Sequence, residues 1–278
     1  MQATAKLVSV VIPAYNHERF VAQGLNGILN EQYPNKEIIV IDDGSRDGTL
    51  KVIEQWAEAH KQEIPVTIRS RQNKGISATL NDGISLARGD YILPIASDDY
   101  LLPGGICERV TYLENHPELQ AVIGDCQMVD DEGKLLYQSC LRDYRHADPR
   151  DYATPERVAA SIAKRWILPG PGLMARRGLY AKIGGYDEER KVEDWDFYLR
   201  MAARKTLGFI DYPVAAYRFH ASNTCRSVFS QRLVLNELSR SGFRRARLFT
   251  GRLRLIVIAK AIFYGIKAFT LWLRSPAA

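Results

Sequence analysis

Two adjacent carboxylates, Asp98 and Asp99, follow a short apolar segment at residues 91–95. Like charges this close repel each other unless a cation or solvent screens them. Mg²⁺ or Mn²⁺ supplies such a charge, and proteins typically hold these ions with one or two carboxylates together with phosphate oxygens. Taken alone, the pair is compatible with a divalent metal site and with a cap for a following helix, and the residues themselves leave both interpretations open.

Other polar residues leave similar alternatives open. Asp43 lies in Asp42-Asp43-Gly44-Ser45, which is typical of a turn but could also present a carboxylate to a pyrimidine N–H. Asp194 precedes an amphipathic segment, where it either stabilises a helix dipole or acts as a general base for a hydroxyl. His220, taken alone, is more typical of a structural residue than of a ligand.

Alternating apolar strands and longer helical segments position these residues. The pattern predicts strands at residues 8–13, 37–42, 66–70 and 91–95, with helices at 20–30, 49–59 and 76–87. Such strands, separated by helices of about ten residues, are typical of a parallel sheet covered on both faces. Ligands bind beyond the carboxyl ends of the strands, where the acids recur. We expect an α/β fold with a mostly parallel sheet flanked by helices.

The later part of the chain is less regular. Residues 105–115 and 155–164 are predicted helices, residues 121–124 and 134–138 a pair of strands, and residues 141–154 a polar loop. The four cysteines are far apart and lack CxxC spacing, so we expect reduced thiols.

The composition is globular, with 278 residues of which 46% are hydrophobic, and it excludes disordered and disulfide-built proteins. Residues 226–278 hold 11 Lys and Arg residues against one acid, Glu237, although the whole chain has a net charge of only +6. A basic tail on a mildly acidic body indicates an anionic partner for the tail. We therefore expect a domain at residues 1–225 and a basic amphipathic helical tail at residues 226–278.

Basic residues recur every seven positions in the tail: Arg240, Arg247 and Arg254, then Lys260, Lys267 and Arg274. On a helix this spacing places each trio on one face, opposite a large apolar face between residues 255 and 273. The pattern favours a helix that lies on an anionic membrane surface through residues 240–278. Spanning the bilayer and packing on protein are the alternatives. No nucleic-acid-binding module is recognisable, so nucleic acid is not an expected partner, and the oligomeric state stays open.

The order of these motifs resembles the family 2 glycosyltransferases of the GT-A fold, over about residues 7–222. The matching segments are residues 10–16, 40–49, 73–75, 89–99, 184–187 and 193–196. The resemblance implies a nucleotide-sugar donor, with a UDP-sugar favoured, and a Mn²⁺ or Mg²⁺ ion on its diphosphate. The acceptor would be a glycan or a lipid-linked molecule in cell-surface polysaccharide synthesis.

The resemblance also implies roles for individual residues. Those that would bind the nucleotide or the rest of the donor are Pro13, Ala14, Tyr15, Asn16, Asp43, Asn73, Lys74 and Asp98. Asp99, Asp98 and His220 would hold or approach the metal. Asp194 would be the catalytic base of an inverting transfer.

One position departs from the family pattern, because Ala96 stands where many relatives carry an acid two residues before Asp98. A catalytically impaired nucleotide-sugar-binding or scaffold protein at the membrane is therefore one alternative. A nucleotidyltransferase is another, although Asn73-Lys74-Gly75 is a poor substitute for a Gly-rich triphosphate loop. The first residues lack the features of a signal peptide, so we expect a cytoplasmic protein, peripheral at the inner face of the cell membrane.

Overall fold

The computed structural model describes residues 5–165, 167–168, 170–190, 192–220 and 228–274. The strands are β1 (Val8–Ala14), β2 (Lys36–Asp42), β3 (Val66–Ser70), β4 (Tyr91–Pro94), β5 (Tyr100–Leu101), β6 (Ala121–Val129), β7 (Leu135–Tyr137), β8 (Leu173–Arg176) and β9 (Leu207–Arg218). The helices are α1 (Val21–Leu29), α2 (Thr49–Ala59), α3 (Ile76–Leu86), α4 (Gly105–Asn115), α5 (Pro155–Lys164), α6 (Gly178–Ile183), α7 (Glu193–Ala202), α8 (Val228–Arg245) and α9 (Gly251–Arg274).

The predicted α/β fold is confirmed, and the first half follows the predicted order of elements. Strands β3, β2, β1 and β4 lie side by side and are parallel. Every residue of β1 is buried, as expected for a strand with helices on both faces. Alternate side chains divide between two cores: Val10 and Ile12 pack with α1 and α2, whereas Val11 faces the core that contains α5 and α7.

The second half of the sheet is mixed. Beyond β4 the order continues β8, β6, β9 and β5, with β7 paired to β6. The β4–β8, β8–β6, β9–β5 and β6–β7 pairs are antiparallel, whereas β6 and β9 are parallel. The β5–β9 pair sets Tyr100 opposite Ala216. This pairing brings the residues just before β5 beside the residues at the end of β9.

The predicted polar loop at residues 141–154 contains more structure than expected. A single π-helical turn, Cys140–Tyr144, is capped by the Ser139 hydroxyl, which accepts from Arg142 N at 2.8 Å. A 3₁₀ turn, Pro149–Tyr152, follows it, and its Tyr152 ring is buried in the core. Among the cysteines, Cys107, Cys126 and Cys140 are free thiols, and Cys225 lies outside the described residues.

The tail is two helices rather than the single helix predicted. Helix α8 ends at Arg245, a 3₁₀ turn follows at Ala246–Leu248, and α9 begins at Gly251 with φ +53°. The predicted basic face formed by Arg240, Arg247 and Arg254 is therefore wrong, because the three residues belong to different elements. Lys260 and Lys267 do share α9, and the side chain of Arg274 is outside the described part.

Helix α9 packs against the protein through the face that carries its smaller apolar side chains. Val257, Ala261 and Ala268 are buried against the rest of the protein, where Tyr264 meets the Trp195 ring edge-on at 5.8 Å between centroids. The large apolar side chains face outward, and we call the following set the apolar stripe: Leu255, Ile262, Phe263, Ile266, Phe269 and Leu273. Residues 251–273 are long and apolar enough to cross a membrane, by length and composition alone.

Candidate active site

A cleft of about 620 Å³ opens beyond the carboxyl ends of β1, β2 and β4, within the size range of small-molecule sites. Of the residues predicted to form the site, Pro13, Ala14, Tyr15, Asn16, Asp43, Asn73, Asp98, Asp99, Asp194 and His220 all line it. Lys74 does not line it, and its side chain is exposed. The sheet therefore gathers into one cleft residues that lie up to about 200 positions apart in the chain.

Asp43 holds the loop that follows β3. Its carboxylate accepts from the backbone N–H groups of Lys74 at 2.9 Å and Gly75 at 2.8 Å, and it pairs with Arg71 at 3.1 Å. The loop can turn here because Gly75 has φ +89°, a conformation that glycine adopts without steric cost. Lys74 thus contributes a main-chain donor to Asp43, while Asn73 faces the cleft.

The loop after β1 is tied to the loop after β2. Asn16 adopts φ +54°, its backbone N–H donates to Ser45 Oγ at 3.0 Å, and its side-chain oxygen accepts from Arg46 N at 2.8 Å. The next residue, His17, donates its backbone N–H to Thr49 Oγ1 at 2.8 Å. These bonds fix the direction in which the His17 ring enters the cleft.

The paired acids do not cap a helix, because β5 follows them. Asp99 Oδ1 accepts from the backbone N–H of Arg218 at 2.8 Å, and the Arg218 guanidinium donates to the backbone oxygen of Asp98 at 2.9 Å. This join between β5 and β9 brings His220 Nε2 to 2.9 Å from Asp98 Oδ2. His17 Nδ1 lies 3.7 Å from Asp98 Oδ1 on the other side.

His17, Asp98 and His220 form a cluster. Each residue offers one nitrogen or oxygen that could bind a metal, and these three atoms all lie within 4.8 Å of one another. His17 carries no sequence pattern of its own that predicts a ligand, although its position directly after Asn16 at the end of β1 is a usable signal. The Nδ1 atom of His17 is also 2.8 Å from Ser97 Oγ. Two imidazoles and a carboxylate are donors that divalent transition metals accept, so the residues fit a metal such as Mn²⁺.

The two acids differ in protonation. Burial alone would raise the pKa of Asp98, but the hydrogen bond from His220 and the charges of both histidines outweigh burial and lower it. Burial raises the pKa of Asp99 well above its usual range, and the Asp98 charge raises it further. Burial also lowers the pKa of His17, which favours the neutral imidazole. Asp98 is therefore the ionised member of the pair.

The opposite wall carries the first turn of α7. Glu193 and Asp194 line the cleft and are half-buried, and Asp194 Oδ1 accepts from the backbone N–H of Trp195 at 2.6 Å. Burial, followed by the Asp194 charge, raises the pKa of Glu193 to about 8. Near neutral pH Glu193 is therefore mostly uncharged beside Asp194.

Asp196, in the same turn, points away from the cleft and is fully buried. It pairs with Arg200 at 3.1 Å and with Arg245 of the tail at 2.7 Å. Arg200 also donates to the backbone oxygens of residues 183–185, the Gly-Gly turn that precedes Tyr186. Asp196 is therefore a buried ion-pair partner that joins α7 to the Gly-Gly turn and to the tail, whereas Asp194 faces the cleft.

The rest of this wall is mainly apolar or aromatic and was not predicted residue by residue. It is formed by Pro171, Leu173, Tyr186, Val192, Tyr198 and Val234. Val234 belongs to α8, so the tail contributes directly to the cleft. Gly170, Pro171, Leu173 and Tyr186 come from the less regular region that precedes α7.

A Rossmann-like sheet of this order, with paired acids beyond the ends of its parallel strands, defines the GT-A class of glycosyltransferases. The chain superposes with TM-score 0.67 over 100% of its length on the mannosyltransferase PcManGT from Pyrobaculum calidifontis, solved with GDP-Man and Mn²⁺, at 17% identity and covering 77% of that chain. It also superposes on S. aureus TarS 1-349, solved with UDP-GlcNAc, with TM-score 0.62 and 16% identity, over 97% of this chain and 92% of the other. At these identities the likeness shows the fold.

Sequence comparison identifies the family. Residues 9–183 match the profile described as Glycosyl transferase family 2. The chain is also 33% identical over 205 residues to the putative glycosyltransferase EpsE of Bacillus subtilis. The matched region covers 73% of this chain and 69% of that protein. The chain belongs to glycosyl transferase family 2 and is a glycosyltransferase.

Proposed function

We propose that this protein transfers a sugar, with inversion, from a nucleoside-diphosphate sugar to a hydroxyl of a glycan or lipid-linked acceptor in cell-surface polysaccharide synthesis. The observation that carries the proposal is that one cleft is lined on one side by Asp98 with two histidines and on the other by Asp194. These are the two kinds of group that the transfer needs. A cation-binding cluster meets the diphosphate, and a separate carboxylate receives the proton of the acceptor.

The nucleotide would occupy the part of the cleft next to β1 and β2. Pro13, Ala14, Tyr15 and Asn16 would line the base and ribose, with Asn73 beside them. Each Asp43 oxygen already accepts one backbone hydrogen bond. A carboxylate has about four acceptor positions, so Asp43 can also accept an N–H from a pyrimidine base. A UDP-sugar is the donor we favour. The two structural neighbours were solved with GDP-Man and UDP-GlcNAc, which supports the wider class of nucleoside-diphosphate sugars.

Asp98 and His220, with Asp99 beside them, are the residues that would hold Mn²⁺ or Mg²⁺. When bound, the ion neutralises the charge that develops on the diphosphate as it leaves. Asp98 suits this role because its pKa is lowered and its side chain is ionised. Arg218 fixes both acids through the main chain of residues 98 and 218 and the Asp99 carboxylate.

Asp194 would take the proton from the acceptor hydroxyl as that oxygen attacks the anomeric carbon. The new bond forms on the face opposite the breaking sugar–phosphate bond, the electron pair of the breaking bond leaves with the diphosphate, and the configuration inverts. Because burial raises the pKa of Glu193 to about 8, the neighbouring acid adds little negative charge near neutral pH. Asp194 is then the carboxylate of this wall that receives the acceptor proton.

The tail would lie on the anionic inner surface of the cell membrane, with α9 parallel to it. The apolar stripe is exposed over most of its length, for example 59% at Ile266. At 100° per residue, Lys260 and Lys267 fall along one edge of the stripe, and the Lys260 ammonium is 5.0 Å from the Phe263 ring centroid. A lipid-linked acceptor would then be concentrated beside the enzyme.

The proposal is tested with the purified full-length chain and a panel of UDP-, GDP- and dTDP-sugars, by measuring nucleoside-diphosphate release with and without Mn²⁺. We expect Mn²⁺-dependent release that Asp194→Asn lowers by at least about a hundredfold. The control Asp148→Asn, at the N-cap of the 3₁₀ turn and outside the cleft lining, should leave the release unchanged. Equal rates in both variants would contradict the base assignment. Donor binding without release indicates a binding protein, and pyrophosphate release from nucleoside triphosphate and sugar phosphate indicates a nucleotidyltransferase.

A further inference from the structure

His17 enters the candidate site from an element that carries none of the predicted metal ligands. It follows β1, whereas Asp98 follows β4 and His220 follows β9. Its Nδ1 lies 3.7 Å from Asp98 Oδ1, while His220 Nε2 lies 2.9 Å from Asp98 Oδ2. The two imidazole rings are therefore on opposite sides of one carboxylate, 5.8 Å apart between centroids and nearly perpendicular at 89°.

The ring of His17 is held in this place from several directions. Its backbone N–H donates to Thr49 Oγ1, and its carbonyl oxygen accepts the N–H groups of Phe20 and Val21, which open α1. The Ser97 hydroxyl is 2.8 Å from Nδ1. Nδ1 is also the nitrogen that faces Asp98, so the Ser97 contact holds this atom at the cluster and would give way to a bound ion. Folding of the loop after β1 thus fixes the ring before any ligand arrives.

Asp99 is placed differently from His17, Asp98 and His220. Its Oδ1 accepts the backbone N–H of Arg218 and so joins β5 to β9. Among the described residues, Asp99 is not a member of the cluster whose ligand atoms lie within 4.8 Å of one another, and turning its carboxylate away from Arg218 would leave a buried N–H unsatisfied, which is costly. The described geometry therefore gives Asp99 a positioning role, because its bond to Arg218 holds the strand end that carries His220.

We propose that His17, Asp98 and His220 are the protein ligands of the divalent cation, a two-histidine, one-carboxylate set in which His17 takes the place expected for Asp99. This inference rests on the proposed function, because the cation it describes is the one that would meet the donor diphosphate. Protein ligands stand roughly 2.0–2.2 Å from such an ion. The separations within the cluster, all at most 4.8 Å, need only small side-chain rotations to reach that distance.

The composition of the set predicts which ion is preferred. Mg²⁺ favours oxygen ligands in a strict octahedron, whereas imidazole nitrogen binds transition metals well. Two nitrogens and one carboxylate therefore favour Mn²⁺ over Mg²⁺, and three ligands leave positions for diphosphate oxygens. A His17 that only supports the loop would contribute to folding and would leave the Mn²⁺/Mg²⁺ preference unchanged.

The test is direct binding of Mn²⁺ alone, then of Mg²⁺ alone, to the full-length chain, measured by calorimetry and by the electron paramagnetic resonance of free Mn²⁺. We expect His17→Ala and Asp98→Asn to weaken Mn²⁺ binding by at least about tenfold. The matched control His116→Ala, at a half-exposed surface histidine, and Asp99→Asn should stay within about threefold of the original protein. His17→Asp, which exchanges nitrogen for oxygen, should bring the Mn²⁺ and Mg²⁺ affinities closer together. Thermal unfolding without metal identifies any variant that fails to fold.

The outcomes separate this inference from the function on which it rests. If Asp98→Asn loses Mn²⁺ while His17→Ala keeps it and His17→Asp leaves the preference for Mn²⁺ unchanged, His17 is not a ligand and the proposed metal-dependent transfer still stands. If Asp99→Asn loses Mn²⁺ as fully as Asp98→Asn, the predicted acid pair is the site and the inference is wrong. If the original protein binds neither ion, the metal dependence in the proposed function fails as well.

Discussion

The buried ion pair between the tail and α7 gives a prediction whose size follows from the geometry. Arg245 donates from Nε to Asp196 Oδ1 at 2.7 Å and from Nη2 to Oδ2 at 3.0 Å, a bidentate contact. Asp196 is completely buried, and the Arg245 side chain is 13% exposed. Replacing Arg245 with alanine removes one of two arginines that neutralise this carboxylate.

Breaking a buried pair by removing one partner costs about 3–5 kcal/mol, because a charge is left uncompensated in the interior. Arg200 still pairs with Asp196 at 3.1 Å in this variant, so we expect the lower end, about 3 kcal/mol. For a chain of this size that corresponds to a fall in Tm of about 6–10 °C. The Tm of Arg245→Lys should lie between those of the original protein and Arg245→Ala, because an ammonium group restores the charge but not the two parallel hydrogen bonds of the planar guanidinium.

Thermal unfolding followed by circular dichroism measures this difference. Arg240→Ala is the matched control, because Arg240 lies on the same helix, is 71% exposed and pairs with Glu237 at 3.4 Å. Solvent screens the exposed Arg240 charge, and the buried Glu237 keeps Arg190 at 3.6 Å. The loss should therefore be at most about 1 kcal/mol, or about 2–4 °C in Tm. In the double variant with Asp196→Asn, the loss should be smaller than the sum of the single losses. An Arg245→Ala protein as stable as the Arg240→Ala protein would refute the reasoning.

Two further predictions concern pH and the membrane. The folded protein keeps a proton on Glu193 up to a pKa of about 8, whereas the unfolded chain releases it near the usual glutamate value, so stability falls as pH rises between those values. Glu193→Gln should therefore have the Tm of the original protein near about pH 5 and a higher Tm above about pH 8. The control Glu58→Gln should follow the Tm of the original protein at every pH. If Glu193→Gln also follows the original Tm at every pH, this protonation of Glu193 is contradicted. Replacing Ile266 and Phe269 of the apolar stripe with serine removes roughly 2 kcal/mol of burial, about thirtyfold in binding to vesicles containing anionic lipid. Serines at Leu135 and Leu136 of the exposed β7 hairpin are the control, and equal binding by both double variants would exclude the stripe as the contact.

Local patterns predicted the fold well where they depend on near neighbours. The bounds predicted for α2, α4 and α5 agree with the structure, because periodicity and caps such as Thr154, which accepts from Arg157 N, act within one turn. The cleft followed from one topological rule, that parallel strands end at the same edge. These predictions needed no knowledge of contacts between distant segments.

The convergence of His17, Asp98 and His220 could not be predicted in the same way. It depends on β5 pairing with β9, about 120 residues further along the chain, and strand pairing over that distance leaves no periodic signal. The orientation of α9 is a second example. Both of its faces are apolar, yet Ala261 faces inward and Ile266 faces outward. A Cβ atom added at Gly242 of α8 would lie only 2.8 Å from the Ala261 Cβ, so the two helices meet closely through these small residues.

The same packing bears on whether the tail can be removed. Val234, Leu238, Phe249 and Val257 belong to the core that also contains α5 and α7. A chain that ends at residue 225 would expose the surface they cover and leave Asp196 with Arg200 as its described partner. Removing Arg245 from Asp196 costs about 3 kcal/mol, and the burial of each large apolar side chain contributes about 1.5–3 kcal/mol. The sum of these losses approaches the whole stability of a typical domain, about 5–15 kcal/mol. We therefore expect residues 1–225 alone to lose cooperative unfolding and donor binding, measured by circular dichroism and thermal shift.

The control is the full-length protein with serines at Ile266 and Phe269, which should keep both cooperative unfolding and donor binding. A truncated chain that unfolds cooperatively at the original Tm would show that the boundary predicted at residue 225 separates two independent domains and that the tail only anchors the enzyme.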